Sequence, residues 1–338
     1  MDVNQRVFIL ASLGKHLQSL SEESKAELYA KMQNYNNWFT PGQSELALEG
    51  ICRYLDHQQL TNWVQSYSFD NSTLPKDVGI IMAGNIPGVG FHDLLCTLVA
   101  GHKARVKLGS SDNILIPWLV DQLKSISPKL AENISFEERL SGMDAYIATG
   151  SDNSARYFDY YFGKYPHIIR KNRTSVAILN GKESEADFEL LAKDIFTYYG
   201  LGCRNVSKVF FSDSSQIQTF LKAMEKENKV SEHHKYFNNY EYNKSKYLIN
   251  SVPHYDNGHL LLVESKELVS PISVIYYETY ESVACLQERL TGLENKIQCL
   301  VSKDGWFDGS IALGTAQKPE VYDYADKVDT LKFLLELN

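Results

Sequence analysis

The sequence lacks several features that would assign it to a specialised class of protein. Its five cysteines are odd in number and include no C-x-x-C pair, which argues against a disulfide framework and a structural zinc site. No run approaches the roughly 18 apolar residues that a membrane-spanning helix needs, and the N-terminus shows no signal-peptide pattern. We therefore expect a cytoplasmic protein with reduced thiols and no membrane span.

An excess of positive charge is also missing. The 34 Lys and Arg residues are outnumbered by 42 Asp and Glu residues, which gives a formal net charge of −8. Because nucleic-acid binding requires a basic surface, this balance predicts no nucleic-acid partner. The P-loop, H-E-x-x-H and G-x-S-x-G motifs are absent, and no histidine pattern predicts a metal site.

The 338 residues, 43% of them hydrophobic, are enough for two globular domains. Leucines at helical spacing predict a first helix, and two amphipathic stretches, about residues 25–35 and 45–66, predict a second and a third. After Pro75, short apolar runs alternate with helical segments, which predicts βαβ units and parallel sheets. A second α/β unit begins near Ser184, with a helix to Tyr199 and then a strand. The polar stretch 226–246 is predicted to be a surface helix or an insertion.

Cys203 is the first candidate for chemistry. It lies in the run G-L-G-C-R of residues 200–204, where flexible glycines allow the backbone to approach a ligand. The neighbouring Arg204 favours the thiolate, which is the nucleophilic form of cysteine. The competing interpretation is a small buried hydrophobic side chain. We favour that interpretation for the other four cysteines, Cys52, Cys96, Cys285 and Cys299.

Turns at the ends of predicted strands provide further candidates. Asn85 can donate its side-chain N–H to an oxyanion, or it can serve only to form its turn. Gly150 and Ser151 begin a helix whose N-terminus suits a phosphate, although Ser151 equally fits a helix N-cap. Lys107 ends a strand and can meet a ribose or a phosphate, or it can remain solvated.

Taken in order, five segments resemble the aldehyde dehydrogenase superfamily. Asn85-Ile86-Pro87 is similar to the N-F-P turn of that superfamily, and the strand that ends at Lys107 is similar to its A-G-N-x-x-x-x-K strand. Thr149-Gly150-Ser151 is similar to its phosphate-binding turn, and Gly200-Leu201-Gly202-Cys203 to its nucleophile loop. Lys266-Glu267 and the residues that follow are similar to its E-E-I-F-G-P motif.

One branch, the LuxC-type acyl-CoA reductases, shows the stronger similarity. Segments 172–177 and 199–207 and the tail from Gly314 resemble that branch. The resemblance implies an aldehyde dehydrogenase-like α/β fold: two α/β domains with parallel sheets and a helical N-terminal segment. It implies the helical segment and an NAD(P)-binding, Rossmann-like domain over residues 1–183, a catalytic domain over 184–313 and a C-terminal tail over 314–338.

The resemblance also implies an activity. The expected enzyme is an oxidoreductase that reduces a long-chain fatty acyl-CoA, or another acyl thioester, to the aldehyde through an acyl-enzyme on Cys203. Asn85 would stabilise the oxyanion. The residues implied to contact the dinucleotide are Lys107, Ser110, Gly150, Ser151 and Glu267. Homo-oligomers and an acyl-protein synthetase partner are implied by the same resemblance.

Three departures from the superfamily pattern refine these expectations. Segment 169–173 has no carboxylate where hydrolytic relatives place a general base, so water should deacylate the enzyme slowly. Ser110 stands where NAD-preferring relatives often have a glutamate, so we expect NADPH, with NADH also compatible. Ala155 replaces a glycine of the phosphate turn. That change leaves open an acyl-carrier or acyl-transfer subunit that loads Cys203 without efficient hydride transfer.

Overall fold

The computed structural model describes residues 1–70 and 74–337, which form two compact units. The first unit comprises Met1–Asn172 and Pro319–Asn338, and the second comprises Arg173–Lys318. The boundary after Asn172 differs from the sequence-based boundary after residue 183, because the strand at Thr174–Ile178 pairs with strands of the second unit. The chain beyond Lys318 groups with the first unit instead of forming a separate tail.

Within residues 1–70, four helices precede the first sheet: α1 (Val3–Gln18), α2 (Glu22–Tyr35), α3 (Pro41–Tyr54) and α4 (His57–Gln65). The third predicted helix is therefore two helices, and the prediction of one was wrong. Helix α3 ends at Tyr54 with Leu55 as its C-cap, and Asp56 caps α4 by accepting the Gln59 N–H at 2.9 Å. The apolar face of α1 lies in the same hydrophobic core as the strands of the first sheet.

The strands of the first unit are β1 (Asp77–Ile81), β2 (Lys103–Lys107), β3 (Ile134–Phe136), β4 (Ala145–Thr149) and β5 (His167–Arg170). Its next helices are α5 (Phe91–Ala100), α6 (Leu115–Ile126), α7 (Pro128–Ala131) and α8 (Asp152–Phe162). The sheet is parallel with the order β3-β2-β1-β4-β5. The order reverses between β1 and β4, and α/β sheets bind ligands at the carboxyl ends of strands beside such a point.

The strands of the second unit are β6 (Thr174–Ile178), β7 (Val206–Phe211), β8 (His254–Asp256), β9 (Leu261–Glu264), β10 (Val274–Thr279), β11 (Ile297–Ser302) and β12 (Ser310–Ala312). Its helices are α9 (Glu185–Phe196), α10 (Ile217–Met224), α11 (His234–Ile249) and α12 (Val283–Thr291). The sheet order is β12-β11-β6-β7-β10-β9-β8, parallel except where β8 pairs with β9. The chain then returns to the first unit and forms α13 (Thr330–Leu335). The predicted parallel sheets are confirmed.

Two elements of the second unit differ from the sequence-based expectation. The helix predicted to reach Tyr199 ends at Phe196, because Tyr198 and Tyr199 adopt left-handed backbone conformations with φ of 53° and 56°. The polar stretch 226–246 contributes to α11, which buries Tyr236 and Tyr240 and is not a purely surface helix.

Among residues 1–70 and 74–337, no helix combines the length and the apolar character that crossing a bilayer requires.

Candidate active site

The seven predicted site residues fall into two groups, one in each unit. The first group contains Asn85, Lys107, Ser110, Gly150 and Ser151, and the second contains Cys203 and Glu267. The first group follows the carboxyl ends of three neighbouring strands, β2, β1 and β4. The structure therefore brings these five residues to the edge of the sheet at which its strand order reverses, where the fold favours ligand binding.

Asn85 is exposed in the turn between β1 and α5. A Cβ atom on Gly109 would lie 2.8 Å from the Gly84 nitrogen, so the loop after β2 packs directly against this turn. The Gly88 N–H donates to Asp112 Oδ2 at 2.7 Å. Burial raises the pKa of Asp112 to about 6, although backbone N–H groups, including that of Gly88, oppose the increase. The turn that carries Asn85 is thus anchored through its backbone at two points.

The loop after β2 is anchored by the helical N-terminal segment, for which the sequence offered no function. Tyr35 donates its hydroxyl hydrogen to the Ser110 carbonyl at 2.9 Å, and Asn36 Nδ2 donates to the Ser111 carbonyl at 3.1 Å. Lys107 and Ser110 are exposed. No local motif marks Tyr35 or Asn36, because their partners are backbone carbonyls 75 residues away.

The turn between β4 and α8 has the geometry of a helix N-cap. Ser151 Oγ accepts the Ser154 N–H at 3.2 Å, so the N-cap expected as one alternative is present. A Cβ atom on Gly150 would lie 2.9 Å from Phe158 Cε2, which explains a glycine at this position. Ala155 is fully buried in the helix. N-capping uses the serine hydroxyl, whereas phosphate binding at a helix N-terminus uses backbone N–H groups, so the two interpretations are compatible.

Arg170 occupies the segment that lacks a general base. It is buried, it forms an ion pair with Asp93 at 2.5 Å, and it donates to the Thr330 hydroxyl at 2.7 Å. These contacts join β5 to α5 and α13 within the first unit. The segment therefore contributes a structural cation to the first unit.

In the second unit, Cys203 is exposed in the loop between α9 and β7. Asn205, 2% exposed, anchors this loop. Its Nδ2 donates to three carbonyls at the end of α9, the shortest contact being 2.7 Å to Thr197. Its Oδ1 accepts the Gly202 N–H at 2.8 Å. One buried amide thus joins the end of the helix to the loop that carries the candidate nucleophile.

Ser175, at the start of β6, supports the same loop from the sheet. It is fully buried and donates to the Cys203 carbonyl at 3.1 Å. Its hydroxyl oxygen also accepts the Cys299 N–H at 3.3 Å and lies 2.9 Å from the Cys299 sulfur. Burial raises the pKa of Cys299 to about 11, although Arg204 opposes the increase. Cys299 is therefore a poor nucleophile, since the thiolate is the reactive form.

The segment that follows β12 also contacts the loop that carries Cys203. Arg204 Nη1 donates to the Ala316 carbonyl at 3.4 Å. Asp194 on α9 accepts the N–H groups of Gly314 at 2.6 Å and Ala316 at 3.0 Å. Burial raises the pKa of Asp194 to about 6, despite these two hydrogen bonds. Sequence reasoning missed Ser175, Asp194 and the role of Asn205, because each acts through hydrogen bonds to backbone groups, which no local motif marks.

The prediction of a buried side chain is confirmed for Cys52 and Cys96 and is wrong for Cys285. Cys52 and Cys96 are buried, whereas Cys285 is exposed. Burial raises the pKa of Cys52 to about 11 and that of Cys96 well above its usual range. Cys285 is therefore the matched exposed thiol against which the reactivity of Cys203 can be compared.

Glu267 is exposed in the segment after β9. Its N–H donates to Ser265 Oγ at 3.2 Å, and its carbonyl accepts a hydrogen bond from Lys208 Nζ at 3.1 Å. Lys208 lies on β7, the strand that begins just after Cys203. The candidate nucleophile and Glu267 are thus linked through one strand, and Lys208 is a further residue that sequence reasoning missed.

Solved structures with a similar fold include aldehyde dehydrogenases. Aldehyde dehydrogenase 21 from Physcomitrella patens, in complex with the reaction product succinate, matches with a TM-score of 0.71 at 11% identity, over 99% of this chain and 84% of that chain. A cysteine-to-alanine mutant of aldehyde dehydrogenase C from Pseudomonas syringae, complexed with NAD+ and octanal, has a TM-score of 0.65 at 12% identity, over 90% and 73% of the chains. An NAD-dependent benzaldehyde dehydrogenase from Corynebacterium glutamicum has a TM-score of 0.65 at 12% identity, over 89% and 76%. The predicted aldehyde dehydrogenase-like fold is confirmed.

The family model described as acyl-CoA reductase (LuxC) matches residues 14–233. The chain belongs to this family, and the resemblance recognised in its motifs is confirmed. Membership makes the protein an oxidoreductase that acts on acyl or aldehyde groups. No protein of curated function matches the sequence. The matched range includes Cys203 and the five site residues of the first unit, and it ends before Glu267.

Proposed function

We propose that the protein reduces a long-chain fatty acyl-CoA, or another acyl thioester, to the aldehyde through a thioester on Cys203. The observation that carries this proposal is an exposed cysteine on a loop anchored by buried Asn205 and Ser175, in a chain of the acyl-CoA reductase family. Anchoring the backbone places a reactive group at a defined position, which favours attack on a bound carbonyl.

In the proposed acylation step, the Cys203 thiolate is the nucleophile and two N–H groups of this chain stabilise the oxyanion. The Cys203 thiolate attacks the thioester carbonyl and forms a C–S bond, and the carbonyl oxygen becomes an oxyanion. Asn85 donates a side-chain N–H to that oxyanion, and the Cys203 backbone N–H is the second donor. Collapse of the oxyanion breaks the bond to the sulfur of coenzyme A, which leaves as a thiolate and takes up a proton.

A nicotinamide dinucleotide is the cofactor that these residues fit. Lys107 and Ser110 are exposed at the edge of the first sheet at which the strand order reverses, and we assign the adenosine ribose to them. Gly150 and Ser151 precede the first residue of α8 at the same edge, and we assign the pyrophosphate to them. Glu267 is assigned to the nicotinamide ribose. When bound, the reduced nicotinamide supplies the hydride that converts the acyl thioester to the aldehyde. A serine at position 110 does not repel a 2′-phosphate, which favours NADPH, and NADH also fits.

The surroundings of Arg170 support transfer of the acyl group to or from a thiol in preference to its hydrolysis. A general base for water must be able to accept a proton, and hydrolytic relatives place a glutamate in this segment for that purpose. Segment 169–173 contains none, and Arg170 is engaged with Asp93 and Thr330. The acyl-enzyme is therefore expected to survive in water until it is reduced. Assembly as a homo-oligomer and delivery of the acyl group by an acyl-protein synthetase are further parts of this proposal.

A single-turnover experiment tests the proposal. The protein is mixed with a long-chain acyl-CoA without dinucleotide, and NADPH or NADH is then added while intact mass and aldehyde are followed. We expect a mass gain of one acyl group, which is discharged as aldehyde when the dinucleotide is added. Cys203→Ala should abolish the mass gain, and Cys285→Ala, the matched exposed thiol, should leave it unchanged.

Two results would overturn the proposal. Acylation of Cys203→Ala at the wild-type rate would exclude Cys203 as the nucleophile. An acyl group that stays on Cys203 despite both dinucleotides, or that passes to another thiol, would identify an acyl carrier instead of a reductase.

A further inference from the structure

The segment after β9 is held through its backbone. Four consecutive carbonyls, those of residues 265–268, each accept a hydrogen bond from a side chain elsewhere in the second unit. Lys208 Nζ donates to the first and third of these carbonyls, at 2.6 and 3.1 Å. Arg289 Nη2 donates to the second at 3.5 Å, and Ser207 Oγ donates to the fourth at 2.7 Å. Residues 265–268 are named the clamped segment.

Lys208 is fully buried, which is unusual for a lysine. Removing an ammonium group from water is costly unless the charge is paired and hydrogen-bonded. Glu278 forms the ion pair with Lys208, and it also accepts hydrogen bonds from Arg289 Nη1 and Nη2 at 2.9 and 2.7 Å. The three charged side chains form one network, and both cations of this network donate to the clamped segment.

The clamped segment presents one acidic side chain. Leu268 is buried and Glu267 is exposed, so the backbone on both sides of Glu267 is fixed while its carboxylate remains accessible. The ammonium group of Lys208 has three donors, and two of them are used by backbone carbonyls of the clamped segment. The arrangement restricts where the Glu267 carboxylate can lie.

We propose that Lys208, supported by Glu278 and Arg289, is a positioning residue that holds Glu267 in place to bind a ribose of the dinucleotide. This inference rests on the proposed function, in which Glu267 contacts the nicotinamide ribose. Because binding by a pre-positioned carboxylate avoids ordering the segment on association, loosening the clamp weakens dinucleotide binding.

The test is a double-mutant cycle on the full-length protein with Lys208→Met and Glu267→Gln. Its main readout is the dissociation constant for NADPH and NADH, measured by nucleotide fluorescence without any acyl substrate. Lys208→Met should weaken dinucleotide binding roughly tenfold. In the Glu267→Gln background it should cause little further loss of affinity, because both changes act on the Glu267 carboxylate. Acylation of Cys203 without dinucleotide, followed by intact mass, should stay within about twofold of wild type.

Hydrogen exchange and a control lysine separate positioning from general loss of structure. Lys208→Met leaves Glu278 its two bonds from Arg289, so that carboxylate keeps a partner. Amide exchange should accelerate in the clamped segment. Lys303→Met is the matched control, since Lys303 also joins a carboxylate, that of Asp187 at 2.8 Å, to a backbone carbonyl in the second unit. It should leave dinucleotide binding unchanged.

Three results would count against the inference. Unchanged binding in Lys208→Met, or full additivity with Glu267→Gln, would show that Lys208 does not act through Glu267. An equal loss of binding in Lys303→Met would assign the effect to general destabilisation. If Lys208→Met does not fold, Ser207→Ala replaces it in the same cycle, with the same expected non-additivity. Failure of the wild-type protein to bind either dinucleotide would instead overturn the proposed function and, with it, this inference.

Discussion

At the scale of single residues, Ser175 illustrates how one small side chain supports the loop that carries Cys203. Its hydroxyl donates to the Cys203 carbonyl and accepts the Cys299 N–H, so it satisfies backbone groups on two other segments. A buried backbone group that loses its only partner costs about 1–3 kcal/mol. Ser175 therefore affects both the stability of the second unit and the position of Cys203.

We expect Ser175→Ala to lower the free energy of unfolding by about 1–3 kcal/mol and to slow acylation of Cys203. Urea unfolding and intact-mass acylation measure the two effects. Ser302→Ala is the control: Ser302 is also fully buried in this sheet, accepts the Phe307 N–H at 3.2 Å and contacts the Ser310 hydroxyl at 2.7 Å. It should cost similar stability without slowing acylation. Equal rates for the two variants would show that Ser175 does not position the loop.

At the scale of elements, the end of α9 decides how the chain approaches Cys203. Tyr198 and Tyr199 both have positive φ, and Gly200 continues the left-handed turn with φ of 77°. Such a conformation costs L-residues roughly 1–2 kcal/mol each, so the surrounding structure must stabilise it. The ring of Tyr199 packs against that of His233, with centroids 4.4 Å apart. The turn replaces the last helical turn that the sequence pattern predicts.

Gly200→Ala should destabilise the second unit by about 1–2 kcal/mol, because alanine is strained at this φ although space is available for its Cβ. Gly258→Ala is the matched control, since Gly258 has φ of 96° and nothing lies within 4 Å of its Cβ position. Both variants should lose comparable stability in urea unfolding. Only Gly200→Ala should slow acylation of Cys203, and a wild-type acylation rate in that variant would contradict a role for the turn.

At the scale of the whole molecule, the chain leaves the first unit at Asn172 and returns to it after Lys318. The returning segment is tied to the first unit by side chains as well as by apolar packing. Tyr67 donates to the Asp329 carboxylate at 2.8 Å, and Leu331 and Leu334 are fully buried in the core of the first unit. The last helix is therefore part of the fold of the first unit.

We expect Leu334→Ala to lower the free energy of unfolding of the first unit by about 2–5 kcal/mol, because it removes a fully buried side chain and leaves a cavity. Leu248→Ala, at a leucine that is 60% exposed, is the control and should change stability by no more than about 0.5 kcal/mol. Urea unfolding of the full-length protein measures both. A negligible effect of Leu334→Ala would show that the returning segment does not contribute to the core.

Much of the fold could be predicted from local patterns. The short apolar runs 78–83, 104–107 and 145–148 are confirmed as strands, since β1, β2 and β4 overlap them. The boundary between the two units was harder to predict from the sequence, because no local signal shows that β6 pairs with β7 and β11. The third helix was also misjudged: an apolar face continues across Asp56, and only the cap reveals the break.

By itself, the sequence determined the alternation of strands and helices, the family to which the chain belongs and the loop that carries Cys203, because each depends on local residue order. Only the tertiary structure decided which residues anchor the segments that carry the candidate site residues. Tyr35, Ser175 and Lys208 donate hydrogen bonds to backbone carbonyls of distant segments, and no sequence motif identifies a carbonyl acceptor. The physical reason is that every residue offers the same acceptor, so the identity of the partner depends on where the fold places it.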